Sequence, residues 1–212
     1  MTRKGKLKPK RFQDHLQGKE GEILLSAFQC IVEKGIASAS TRAIAKNANL
    51  NQGIIHYYFK SKDDLFKKVI EILFNNAINN VEALNHSGLT PPEKIEAFLD
   101  FGHSLIVPRR DEWIAINTFW GHAMTVGGEM LNLIQNQFRR LQSALIKILK
   151  EGEGIGDFSP RARDEYKDIA IFMIGAVQGL ATQYAIDPGQ FDPRGPINLL
   201  KGLVIDMLKQ SD

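Results

Sequence analysis

Residues 40–62 read Ser-Thr-Arg-Ala-Ile-Ala-Lys-Asn-Ala-Asn-Leu-Asn-Gln-Gly-Ile-Ile-His-Tyr-Tyr-Phe-Lys-Ser-Lys, and this stretch decides the fold. It divides into a short helix that buries Ile44 and Ala45, a tight turn at Ala48-Asn49-Leu50, and a second short helix ending at Phe59. Two short helices joined by a three- or four-residue turn form a helix-turn-helix, whose second helix can lie in the major groove of DNA. The turn needs a residue at ease with positive φ, and Asn49 is the best non-glycine choice. Asn51 is placed to cap the second helix and Ser61 the helix that follows. Asp64 stands three residues after Ser61, which gives that entry the form of a capping box.

The helical pattern continues on both sides. Ile23, Leu24, Ala27, Phe28, Ile31 and Val32 repeat at helix spacing, with Gly35 as a stop signal. This first helix would pack on the helix-turn-helix and complete a three-helix unit. Leu65 to Leu84 carries apolar residues at helix spacing without a break, predicting one long helix to about Asn85 that links this unit to the remainder. Thr90-Pro91-Pro92-Glu93 opens the next helix, and Pro108 breaks it. Further helices run through Trp113–Met124, Leu131–Leu149, Ser159–Tyr184 and Ile197–Leu208. Gly127-Gly128, a loop at Gly152-Glu153-Gly154-Ile155-Gly156, and Asp187-Pro188-Gly189 separate them. No hairpin signal or repeat interrupts this, so the chain reads as all-α with eight or nine helices.

Charge divides the 212 residues unevenly. Residues 1–68 hold 14 Lys/Arg against 6 Asp/Glu, a balance of +8, while residues 69–212 hold 13 against 18, a balance of −5. A basic N-terminal part joined to an acidic remainder suggests that one end meets a polyanion. Arg3, Lys4, Lys6, Lys8, Lys10 and Arg11 concentrate charge in a segment without apolar periodicity, so residues 1–18 read as a flexible basic arm. Such an arm either follows phosphates beside the helix-turn-helix or simply solubilises the chain. The division expected is then residues 19–66 for DNA binding and 67–212 for a helical ligand-binding and dimerisation domain. Apolar runs fall far short of a membrane span, and the basic start lacks the apolar segment of a signal peptide. The single cysteine, Cys30, lies in an apolar helical run and reads as a core residue, which fits a reducing, cytoplasmic setting.

Enzymatic readings do poorly. The glycines at 152, 154 and 156 follow a helix rather than a strand, no Gly-x-Ser-x-Gly elbow occurs, and the histidines show no metal-ligand spacing, so no cofactor or metal is implied. The middle helices concentrate aromatic and imidazole groups instead. Among them Phe101, Trp113, Trp120, His122 and Phe172 are candidates to line a pocket for a small apolar or amphipathic ligand, although aromatics at helix spacing are more often plain core. Trp120 and His122 are favoured because each offers a hydrogen bond from an apolar wall. Gly175, Ala176 and Gly179 form a small-residue stripe on the penultimate helix, suited to close approach by another helix of the same or a partner subunit.

The run Gly53-Ile54-Ile55-His56-Tyr57-Tyr58-Phe59-Lys60-Ser61-Lys62-Asp63-Asp64-Leu65, preceded by Thr41-Arg42-x-Ile44-Ala45, resembles the DNA-binding domain of the TetR family of bacterial transcriptional regulators. The close match spans residues 20–68. It departs from the family pattern at Asn49, where Gly is common, and at His56, where Tyr is usual. Phe119-Trp120 and the run Gly179-Leu180-Ala181-Thr182-Gln183 before Asp187-Pro188 faintly resemble the BetI-type branch. The resemblance implies a repressor that binds a palindromic double-stranded operator as a homodimer formed by its last two helices and leaves it on binding a small inducer. Carried over by position, Arg42, Gln52 and His56 would read bases, since Arg grips a guanine edge and Gln an adenine edge. Gly53 would let the backbone approach beside the Asn51 cap, while Thr41, Tyr57, Tyr58 and Lys62 would contact phosphates. A DNA-binding protein of the same fold governed by a protein partner, or serving an architectural role without a ligand, is the alternative.

Overall fold

The computed structural model describes residues 10–160 and 165–209. Among them lie no strands and nine α-helices: α1 (Gly18–Ser38), α2 (Thr41–Asn47), α3 (Gln52–Tyr58), α4 (Lys62–Leu84), α5 (Pro91–Ile106), α6 (Arg110–Val126), α7 (Gly128–Gly154), α8 (Glu165–Ile186) and α9 (Arg194–Lys209). The fold is all-α, as the apolar periodicity requires. Two compact units form, residues 10–76 with 111–137 in one and 77–110 with 138 onward in the other, each taking part of α4 and of α7. The helix-turn-helix therefore shares its unit with α6 and the first turns of α7, elements that sequence position alone does not bring together.

In the first unit α1 buries Ile23, Leu24, Ala27 and Ile31, the apolar stripe read from its spacing. Gly35 interrupts it at φ 75°, and helical turns resume as far as Ser38. The hydroxyl of buried Ser26 donates to the Ile44 carbonyl at 2.7 Å and accepts from the Asn47 amide at 3.1 Å, so a polar brace joins α1 to α2. Cys30 is buried, and burial pushes its thiol up, so it is core and unreactive. Phe66 on α4 meets Phe119 on α6 edge-to-face with centroids 5.9 Å apart.

The turn between α2 and α3 closes as the sequence demands. Asn49 sits at φ 54°, the Leu50 N–H donates to the Ala45 carbonyl at 2.9 Å, and the Asn49 N–H to Lys46 at 3.2 Å. This pair of bonds is a Schellman motif, which needs a left-handed residue at that position. Asn49→Val places a β-branched side chain there and will cost about 1–2 kcal/mol, while Asn49→Gly will be neutral or mildly stabilising. Chemical denaturation of both variants checks this, and equal stability of Val and Gly would contradict it.

In the second unit, Val81, Leu84, Phe98, Leu145, Ile148, Met173 and Val204 belong to one continuous core. A bare Cα at Gly102 lets the Val177 side chain approach closely. Buried Lys94 donates to both oxygens of Glu151 at 2.8 and 2.7 Å, which compensates its charge. The loop expected over 152–156 is shorter, because α7 continues to Gly154. Gly152 is a packing glycine: an added Cβ would stand 2.1 Å from the Phe158 ring. Ser159, expected to open α8, instead donates its N–H to Leu208 and its hydroxyl to Lys209 at the end of α9. Residues 161–164, where that helix start would fall, lie outside the described residues.

At the start of α5 the Thr90 N–H and hydroxyl both donate to the Glu93 carboxylate, at 2.8 and 3.0 Å, so Glu93 closes back on the capping residue foreseen from the sequence. That N–H, then the Thr90 hydroxyl, hold the Glu93 carboxyl below the usual carboxylate range. A carboxylate with a lowered folded pKa stabilises above its unfolded value and loses that contribution as pH falls through the lowered one. The thermal midpoint of the protein will therefore drop more steeply below about pH 4.5 than that of Glu93→Gln, whose amide does not titrate. Parallel acid limbs in the two proteins would refute it.

Two features differ from a linear reading. The described part of the supposed arm 1–18 is folded: residues 12–15 form a 3-10 turn whose Phe12 is buried and stacked on Phe28 at 4.6 Å. The rest of the arm, residues 1–9, lies outside the described residues. Second, α8 is by length and composition apolar enough to cross a membrane. One flank is core, with Ile169, Met173, Ile174 and Val177 buried, yet Ile171 and Phe172 on the other are exposed.

Candidate nucleic-acid interface

α3 has two unlike faces. Ile55, and Phe59 just past its end, are buried, which fixes the helix on the unit beneath. Gln52, Gly53, His56 and Tyr57 are exposed together, with Tyr57 83% accessible. These positions are four apart in pairs, so they form one outward stripe of about two turns. The Asn51 side chain accepts from the Gly53 N–H at 2.8 Å, starting the helix as foreseen, and the Ser40 hydroxyl does the same for α2 from Ala43 at 3.2 Å.

Gln52 donates one amide hydrogen to the Thr41 hydroxyl at 3.0 Å. This bond joins the first turns of α2 and α3 and orients the amide. One N–H and the carbonyl oxygen remain, the donor–acceptor pair that an adenine edge accepts. Arg42 is exposed on α2, and Tyr58 meets Tyr57 edge-on at 5.1 Å. Lys62 lies with its ammonium 5.4 Å from the centroid of Phe66 at the start of α4, where the Ser61 hydroxyl accepts from the Asp64 N–H at 3.1 Å. The returning half of that capping box is shifted by one residue: Asp64 accepts from Lys60 at 3.0 Å rather than from Ser61.

The ligand candidates are less united. Trp113 and Trp120 meet at 6.4 Å, and Phe74 adds a third ring 6.4 Å from Trp120, so α4 and α6 share an aromatic cluster. His122 is half-buried on α6 of the same unit. Phe101 is buried in the other unit, whereas Phe172 is 51% exposed on α8 and lines no interior. A cleft of about 350 Å³ opens between the end of α4 and the middle of α7, and its walls are polar, including Asn85, His86, Arg139 and Lys147. Among the described residues no cluster of three or more His, Cys, Asp or Glu could hold a metal ion.

Residues 23–69 match the model of bacterial regulatory proteins of the tetR family, and residues 91–209 match that of the C-terminal part of BetI-type transcriptional repressors. The chain belongs to the TetR family. It is similar to the HTH-type regulator AcrR of Shigella flexneri, 26% identical over 203 residues, covering 91% of this chain and 86% of AcrR. It is 28% identical to the regulator PksA of Bacillus subtilis over 107 residues, half of each chain. The fold is that of FadR from Bacillus subtilis, solved in complex with stearoyl-CoA, with a TM-score of 0.74, 20% identity and coverage of 89% of this chain and 99% of that one.

As a TetR-family protein the chain is a DNA-binding transcriptional regulator of repressor type, not an enzyme. Sequence reading overlooked Lys46 on α2 and Lys60 after α3, exposed cations beside the outward stripe whose only signal was their proximity to it. It had no reason to separate Lys67 from them, yet Lys67 is paired with Glu129 of α7.

Proposed function

We propose that this TetR-family regulator represses transcription as a homodimer on a near-palindromic operator and is released by a small apolar or amphipathic ligand. The observation that carries the DNA half is the two-faced α3, with Ile55 buried and Gln52, Gly53, His56 and Tyr57 presented outward. Arg42, Gln52 and His56 read base edges, while Thr41, Tyr57, Tyr58 and Lys62 hold the backbone. A two-fold dimer sets half-sites about one helical turn apart or somewhat more. Operator binding requires access to DNA, which supports a cytoplasmic location.

The ligand half is supported by the aromatic cluster of Phe74, Trp113 and Trp120 and by the likeness to FadR, a protein captured with stearoyl-CoA. Ligand-dependent displacement of α4 would alter the distance between recognition helices, to the extent that the ligand binds the two arrangements unequally. A thermal-shift screen of acyl and aromatic amphiphiles tests this, because a ligand bound to the folded state raises its midpoint.

His56 tests the assignment of base readers at its least family-like position. Binding-site selection with His56→Ala will show altered preference at one base pair per half-site, worth about 1–3 kcal/mol. Lys62→Ala will weaken all sequences alike, since a phosphate carries no sequence information. An unchanged motif with uniformly lower affinity for His56→Ala would make the residue a backbone contact.

A further inference from the structure

The segment Lys10–His15 is a strap across three helices of the DNA-binding unit. Its Phe12 ring is buried and stacks on Phe28 of α1. The Phe12 N–H donates to Glu112 in the first turn of α6 at 2.8 Å. The Lys10 carbonyl accepts from the Asn76 amide of α4 at 2.6 Å. Glu112 is only 9% exposed, and a buried carboxylate is kept where its hydrogen bonds hold something in place. The acceptor and the donor are 100 residues apart in sequence.

From this we infer that Glu112 is a positioning residue for operator binding, acting through the strap on α1 and hence on the helix-turn-helix that α1 supports. Asn76 is fourteen residues past the start of α4, a rise of about 21 Å at 1.5 Å per residue. The strap therefore grips the unit far from the stripe on α3, and its effect on DNA comes through helix placement rather than through contact. It also supplies a route from α6 to α1 separate from α4. Glu112 is adjacent to Trp113 of the aromatic cluster, so a rearrangement of that turn is transmitted to Phe12 and α1. The inference rests on the operator-binding reading above.

The test uses the full chain. Glu112→Ala will raise the rate of tryptic cleavage after Arg11 about tenfold, the expected effect of losing a hydrogen bond to a charged group. It will also lower operator affinity several-fold while leaving the slope of affinity against salt and the selected motif unchanged. Glu112→Gln keeps an acceptor oxygen and will recover most of both losses, and Asn76→Ala, which loosens the other end, will reproduce them in part. If cleavage rises but operator affinity does not change, the strap holds only itself and the inference fails. If the salt slope flattens in Glu112→Ala, the strap delivers cations to phosphate and the positioning role is likewise overturned. Failure of the unaltered protein to bind any operator would overturn the operator-binding reading instead, and the cleavage assay would still report on the strap.

Discussion

Operator affinity will fall by three to five orders of magnitude between 50 and 200 mM monovalent salt, the loss expected when about six to ten phosphates are neutralised. Lys46, Lys60 and Lys62 lie beside the outward face of α2 and α3. Two subunits double these three to six. Each phosphate contact releases counterions and adds about −0.9 to the slope of log affinity against log salt. Replacing Lys46 or Lys60 by Ala will remove about two units of slope from the dimer, one per half-site. Lys67→Ala will leave it unchanged, because Glu129 holds that ammonium on the protein. Removing residues 1–9, which carry Arg3, Lys4, Lys6 and Lys8, will flatten the slope further if the basic arm follows phosphate. A total slope shallower than about −3, measured by fluorescence anisotropy on a selected operator, would contradict the assignment of this face.

The helix-turn-helix was legible because its information is local. The cap at Asn51, the left-handed turn at Asn49 and the buried pair Ile44 and Ala45 all lie within twenty residues. Each condition is met by a residue with few substitutes. What remained hidden depends on partners distant in the chain. Nothing near Phe12 says that a carboxylate 100 residues away awaits its N–H, so the strap read as part of a flexible arm. Gly152 read as a loop glycine because the Phe158 ring that requires it becomes its neighbour only after folding. Phe172 misled for another reason. α8 is apolar on both flanks, so periodicity cannot tell its core side, with Met173 and Val177, from its open side, with Phe172. The same ambiguity is informative once the structure separates the flanks, because an apolar open side needs a cover.

Leu199→Glu combined with Leu203→Glu will give a folded monomer that binds operator at least about a hundredfold more weakly than the unaltered protein. Both leucines are exposed on α9, at 66% and 57%, one turn apart on the same flank. The flank facing the core, with Ile197, Leu200, Val204 and Leu208, is untouched, so the subunit fold will survive. On α8 the matching open flank carries Phe172, Gly175 and Gly179, and a Cβ at either glycine would meet nothing within 4 Å among the described residues. Those glycines cost helix stability, about 1 kcal/mol each relative to Ala, and among the described residues nothing crowds the space a side chain there would fill. In the proposed homodimer, a second copy packed on α8 and α9 would offset that cost and cover the leucines. Two charges on each subunit's α9 must then be buried or the dimer abandoned, and a charge left unpaired in an apolar interface costs several kcal/mol. Loss of the dimer removes the gain from binding two linked half-sites, a factor of about 10² to 10⁴. Sedimentation velocity and circular dichroism on the double variant report the two halves of the result separately. A helical, dimeric variant would place the dimer interface elsewhere, whereas a helical monomer with full operator affinity would remove the need for a dimer in DNA binding.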